Sequence, residues 1–293
     1  MNDADWERLI KQLRRGDCTP LLGAGSCFGR LPTGGELSRH FAHEYRYPFA
    51  DSGNLARVMQ YVALLGRDSV ELKHEICDYL KRYPAGEAAN ALDPHTVLAQ
   101  FPITTFITTN YDDFMTQALQ RSEAEPKSPE TYTSTWWDTK ADDIEALEPT
   151  SRRPLVYHLH GHWDDPASLV LTEDDYLEYL VNMVDARASG VRQPLPTPVL
   201  AAMTTRPLLF VGYSLQDWNF RVLFHGLIRP VPLTRRRRHV SVQLLPELSG
   251  TVAGAAGKAQ EYLERYLDGW SISIYIGSTE DFFQELLDRM RTT

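Results

Sequence analysis

The sequence predicts an α/β fold, a parallel β-sheet covered by helices on both faces. Three features predict it. Strand-length runs rich in β-branched and apolar residues alternate with amphipathic, helix-length stretches. The strand-length runs are apolar almost throughout, as strands buried on both sides require. Four of them end in glycine or polar residues, at the edge where parallel sheets form ligand crevices.

In chain order, residues 3–15 are expected to be helical, with Trp6, Leu9, Ile10 and Leu13 on one face. "TPLLGAG" (19–25) is a short buried strand running into a glycine turn. Residues 35–47, 54–65 and 68–82 read as helices, so the first third of the chain is helix-rich. "ITTFITTN" (103–110) is a β-branched strand, and "DDFMTQALQ" is the helix after it. "PLVYHLHG" (154–161) is the next strand, and "TEDDYLEYLVNMV" opens with a capping signature and continues as a helix. "RPLLFVGYS" (206–214) is a hydrophobic strand leading to the helix "QDWNFRVLFHGL". "HVSVQLL" and "WSISIYI" are later strands, and "STEDFFQELLDRM" closes the chain as a helix. The polar stretch 121–153, with Trp136 and Trp137 embedded, and residues 188–198 are expected to be linkers or loops.

The length of 293 residues suits one large α/β domain or two small ones, and 43% hydrophobic with 24% charged residues is a soluble globular composition. No apolar run reaches the ~18 residues of a membrane helix. The charged N-terminus lacks a secretory signal. Cys18, Cys27 and Cys77 form no C-x-x-C pair, which excludes a zinc ribbon and argues against a disulfide framework. The expected location is the cytoplasm. A net charge of −9 argues against broad adhesion to nucleic acid. The local exception, Arg235–His239 ("RRRRH"), reads as a solvated loop or as a docking patch for an acidic partner or nucleic acid.

The candidate functional residues sit at the four strand ends. Gly23-Ala24-Gly25 allows a tight turn, or lets backbone N–H groups approach a pyrophosphate; it is not G-x-G-x-x-G. In "TTNYDD" (108–113), Asp112 is a natural helix cap. Alternatively the Asn110 amide holds a ribose or a water and Asp112 orients a polar ligand group. In "HLHGH", His158, His160 and His162 share a face only while the strand continues. Gly161 is expected to end it, sending His162 elsewhere, which disfavours a three-histidine metal site and leaves His160 as a general-base candidate. Gly212 and Ser214 in "GYSLQDWNFR" complete a phosphate or ribose contact, or form a plain turn with Asp217 as a cap.

Taken in order, Gly23-Ala24-Gly25-Ser26, Leu31-Pro32, "ITTNYD", "HLHG" and "GYSLQDWNF" resemble the sirtuin-like family, in its divergent bacterial antiphage-defence branch. The resemblance covers about residues 18–285. It implies one Rossmann-like, NAD-binding domain over 1–293, with helical inserts at about 27–100 and 162–205, the latter in place of a zinc-binding module. By matching motifs, Gly23, Ala24, Gly25 and Ser26 line the pyrophosphate. Asn110 and Asp112, with Thr109 beside them, fall on ribose and nicotinamide positions, and His160 falls on the catalytic histidine. Gly212, Ser214 and Leu215 match a later nucleotide-binding turn, and Ser278, Thr279 and Glu280 lie near the adenosine.

Two departures bear on substrate. Residues 162–205 contain no cysteine, and "LPTGGEL" lacks the aromatic–arginine pair of protein-deacylating sirtuins. The resemblance therefore implies hydrolysis of NAD to nicotinamide and ADP-ribose, without a metal, by a gated effector of antiphage defence. Protein deacylation, ADP-ribosyl transfer and a non-catalytic nucleotide sensor or scaffold are the alternatives. With no sensor region evident, gating is expected from homo-oligomerisation or a separately encoded partner, by analogy a HerA-type ATPase or a short Argonaute-like protein. Direct nucleic-acid binding and membrane association are not expected.

Overall fold

Strand β1 (Thr19–Leu22) runs through the middle of a parallel sheet, with β2 (Thr105–Thr108) on one side and β5 (Leu208–Val211) on the other. Beyond β2 lie β4 (Leu155–His158) and the edge strand β3 (Glu130–Thr133). Beyond β5 lie β6 (His239–Gln243) and β7 (Ile272–Ile276). This computed structural model describes residues 1–66, 68–83, 91–122, 125–134, 143–189, 195–213, 237–243 and 255–292. Every strand pair is parallel. The chain leaves β1 first for one half of the sheet and later for the other, so β1 marks the topological switch point.

Alternation along the strands fills two cores. Leu21, Ile107, Leu155, Tyr157 and Phe210 face one side. There they meet α7 (Glu173–Ser189), α8 (Thr197–Thr205) and α9 (Ala255–Asp268) through Tyr179, Val199, Met203, Leu263 and Leu267. Leu22, Phe106, Val156, Leu209 and Val211 face the other. They pack on α1 (Asp3–Arg14), α5 (Pro94–Ala99), α6 (Phe114–Gln120) and α10 (Thr279–Thr292) through Trp6, Leu13, Leu98, Met115, Phe282 and Phe283. Between β1 and β2, α2 (Gly34–Glu44), α3 (Leu55–Leu64) and α4 (Ser69–Lys81) bury a third core around Phe41, Val58, Val62 and Ile76. No helix of the described residues is long and apolar enough to cross a membrane.

Three expectations are corrected. The 121–153 stretch contains β3, which pairs with β4 in register Thr131↔Val156; its half-exposed Glu-Thr-Tyr-Thr sequence lacks the apolar run of a central strand. Residues 188–198 are not one linker, because α7 reaches Ser189 and α8 starts at Thr197. Strand β4 ends at His158, three residues before Gly161. Trp136, Trp137, Arg235 and the stretch "QDWNFRVLFHGL" lie outside the described residues.

Candidate active site at the strand ends

The C-terminal ends of β1, β2, β4 and β5 bring together Gly23–Ser26, Thr109–Asp112, His160 and Gly212. Strands β2 and β4 pair in register Thr105↔Leu155 through Thr108↔His158. Beyond His158 the chain turns at 159–160, so the pairing does not extend to Asn110 and His160. On the other side, Leu22 is in register with both Thr108 and Val211, which sets the glycine turn between residues 109 and 212.

The turn is clamped onto β5. Gly23 N donates to Val211 O (2.9 Å), Gly25 N to Gly212 O (3.0 Å) and Ser26 N to Gly23 O (2.8 Å). Among the described residues, the Ala24 amide is the one of these four that makes no hydrogen bond, and Ala24 is exposed. A Cβ on Gly25 would lie 2.8 Å from Gly212 Cα, and one on Gly212, whose φ is +78°, would lie 2.2 Å from Ser26 N. The glycines therefore serve backbone-on-backbone contact first.

Asn110 is buried, and its Nδ2 reaches Gly23 O (3.1 Å), Ser26 Oγ (3.2 Å) and Cys27 Sγ (3.1 Å). Its amide oxygen accepts no hydrogen bond among the described residues. Asp112 is buried too. Its Oδ1 accepts from Phe114 N (2.9 Å), although the N-cap position of α6 is Asp113, one residue on, and its Oδ2 accepts from the Cys27 thiol (3.2 Å). Burial and the Asp112 carboxylate push the Cys27 thiol well up, so it stays protonated and donates. Thr109 Oγ1 pairs with the Tyr213 hydroxyl (2.9 Å), which also donates to Leu22 O (3.0 Å).

The histidines divide differently from expectation. Because the chain turns at 159–160, His160 swings to the α7 side, edge-on to Tyr176 and Tyr179 (5.4 Å each). The residue is half-buried, its ring makes no hydrogen bond among the described residues, and burial holds its pKa down to about 4. It is His158 and His162 that stay together, ring to ring at 4.7 Å. A short antiparallel bridge, His162↔Asp165, brings His162 back.

Cys27, His95 and Asp112 place ligand-type atoms within 4.8 Å of one another, all buried. This is the one such group among the described residues. The thiol is bonded to Asp112, and His95 Nδ1 faces Asp93 Oδ1 (3.3 Å). Arg30 approaches Asp93 (3.5 Å) and lies over the Phe114 ring. Two residues with no sequence-predicted site role touch Asn110: Cys27 Sγ accepts from its Nδ2 (3.1 Å) and His158 Nδ1 reaches its backbone O (3.1 Å); the available signal was their position next to Ser26 and within "HLHG".

Ser278–Glu280 follow β7, three strands from β1, on the order of 14 Å across the sheet. Ser278 Oγ donates to Asp281 Oδ2 (2.6 Å) and accepts from Asp281 N (3.0 Å), capping α10. Ser214 and Leu215 lie outside the described residues. Of the basic run, Arg237 pairs with Asp17 (2.6 Å) and Arg238 with Asp268 (2.7 Å).

A family model described as SIR2-like domain matches residues 104–275. The chain is 26% identical over 216 residues to "NAD(+) hydrolase ThsA" of Acinetobacter baumannii (strain 532279), covering 73% of this chain and 39% of that protein. It is 29% identical over 157 residues to the protein of the same name from Enterococcus faecium, covering 54% and 29%. For Bacillus cereus (strain MSX-D12) the values are 29% over 151 residues, covering 50% and 26%. The chain thus spans well under half the length of these curated relatives.

Proposed function

The chain belongs to the SIR2-like domain family, and on that premise we propose that it hydrolyses NAD at the bond between nicotinamide and ribose. The observation that carries this reading is the closure of Asn110 onto the glycine turn at the sheet's C-terminal edge, with its Nδ2 on Gly23 O and Ser26 Oγ; His160 follows β4 at the same edge. The similarity to proteins named NAD(+) hydrolase supports the substrate.

The leaving nitrogen is already cationic, so no strong acid is needed. The C1′–N bond breaks with its electron pair passing to the nicotinamide ring. An oxocarbenium-like C1′ results, and a water oxygen closes on it. Asn110 positions the ribose and that water. His160, a neutral acceptor in the resting protein with its pKa near 4, takes the proton released and hands it to solvent. The products are nicotinamide, ADP-ribose and a proton. The pyrophosphate lies along Ala24 and Gly25, where the Ala24 amide is open to it. Asp112 acts through Cys27 as a positioning residue, since both its oxygens are engaged within the protein.

Unrestrained hydrolysis would exhaust an essential cofactor. We place turnover under the control of self-assembly or a separately encoded partner, in an effector of antiphage defence. The test is nicotinamide release by wild type, Asn110→Ala and His160→Ala across a range of protein concentrations. Both variants should lose about 100-fold or more while remaining folded. Equal rates in all three would remove the assignment. A wild-type rate per molecule that does not change with concentration would exclude gating by self-assembly.

A further inference from the structure

His158 and His162 contribute nothing to the proposed chemistry, yet each buries an Nε2 with no hydrogen-bond partner. Their Nδ1 atoms, by contrast, are engaged. The β2–β4 ladder runs from Leu155 N→Thr104 O (2.9 Å) to Leu159 N→Thr108 O (2.8 Å). The next rung in that series would join Gly161 N to Asn110 O. The chain has turned away by then, and His158 Nδ1 reaches Asn110 O instead (3.1 Å). A carbonyl only accepts, so His158 carries its hydrogen on Nδ1 and a lone pair on Nε2. The backbone N–H of Asp164 donates to His162 Nδ1 (3.2 Å), so His162 carries its hydrogen on Nε2.

We propose that His158 and His162 are a pair of positioning residues, held in opposite neutral tautomers, and that His158 supplies the missing rung that fixes Asn110. Either ring in the other tautomer meets a penalty. A hydrogen on His162 Nδ1 would point at the Asp164 N–H, and a bare His158 Nδ1 would leave Asn110 O without its donor. With the ring in place, Gly161 and His160 can leave the strand while Asn110 stays in register. The pair's effect on turnover rests on the NAD-hydrolase reading; the tautomer assignment does not.

The test has two arms on the whole chain. Nitrogen-15 histidine spectra at neutral pH should show hydrogen on Nδ1 for His158 and on Nε2 for His162; the same tautomer in both rings overturns the pairing whether or not the protein cleaves NAD. In the kinetic arm, His158→Leu should lower kcat about 10-fold with KM changed little. His158→Asn, whose amide nitrogen falls where Nδ1 lies, should restore most of it. Leu and Asn variants equally impaired would reduce His158 to packing, and an unimpaired Leu variant would remove it from positioning altogether. A wild type that leaves NAD intact would count against the catalytic reading alone.

Discussion

Gly212 and Gly66 share a backbone conformation, with φ of +78° and +88°, in opposite surroundings. A Cβ on Gly212 would come within 2.2 Å of Ser26 N and 2.6 Å of Gly25 C, whereas one on Gly66 would meet no described atom within 4 Å. The two sites typify their regions. At the strand-end edge, backbone lies on backbone and buried polar groups crowd together, with Asn110 Nδ2 on Gly23 O and Ser26 Oγ. In the α2–α4 insert, an ordinary apolar core is ringed by exposed pairs such as Gln60–Asp174. The same residue type is thus a structural requirement in one place and a turn preference in the other.

The largest expected effect breaks this comparison most directly. Gly212→Ala must push the glycine turn off β5 and should cost more than about 3 kcal/mol, with NAD cleavage lost because Asn110 is bonded to that turn. Gly66→Ala meets only the strain of its φ and should cost about 1 kcal/mol, leaving cleavage unchanged. Urea denaturation and nicotinamide release on both variants check the pair. Equal losses would mean that the edge is no more tightly built than the insert.

Acid should strike the edge next. His158 and His160 are both held near pKa 4 against an ordinary 6.5, by burial and, for His158, also by His162. The unfolded chain takes up a proton on each ring near 6.5, while the folded chain resists until about 4. Stability is therefore full above 6.5 and falls as pH drops toward 4. Asp93, lowered to about 2 from 3.8, titrates below that window. Between about pH 7.5 and 4.5, His160→Phe should lose on the order of 2 kcal/mol less than wild type. The measurement is denaturation at both pH values; parallel losses would show that the imidazole is not the source.

Legibility followed the same divide. The glycine turn, "TTNYD" and "HLHG" were placed at strand ends because glycine, β-branched runs and caps act over a few residues. What those residues do there depends on distant partners. That Gly25 N is spent on Gly212 O while the Ala24 amide makes no hydrogen bond among the described residues has no local signal. Nor does the early end of β4, which sends His160 toward Tyr176 and Tyr179 while His158 and His162 stay paired. Strand β3 escaped because an edge strand needs no apolar run. The closure of Asn110 onto the glycine turn, which carries the functional reading, is set by the sheet as a whole.

The smallest expected effect tests whether the two regions are independent. The insert meets α7 through Gln60, whose Nε2 donates to Asp174 Oδ2 (2.7 Å) and whose Oε1 accepts from Asp174 N (3.0 Å), and through the buried Lys73–Asp175 pair (2.8 Å). One turn further on, α7 presents Tyr176 and Tyr179 to His160. One route for coupling between the regions runs through this helix. The Gln60 bonds are exposed, so Gln60→Ala should cost no more than about 1 kcal/mol, and the Lys73–Asp175 pair should keep α7 in place. Nicotinamide release should then equal wild type. A variant that keeps its denaturation midpoint but loses turnover would mean that the insert sets the His160 ring through α7, and the contrast between a rigid edge and a detachable insert would fail.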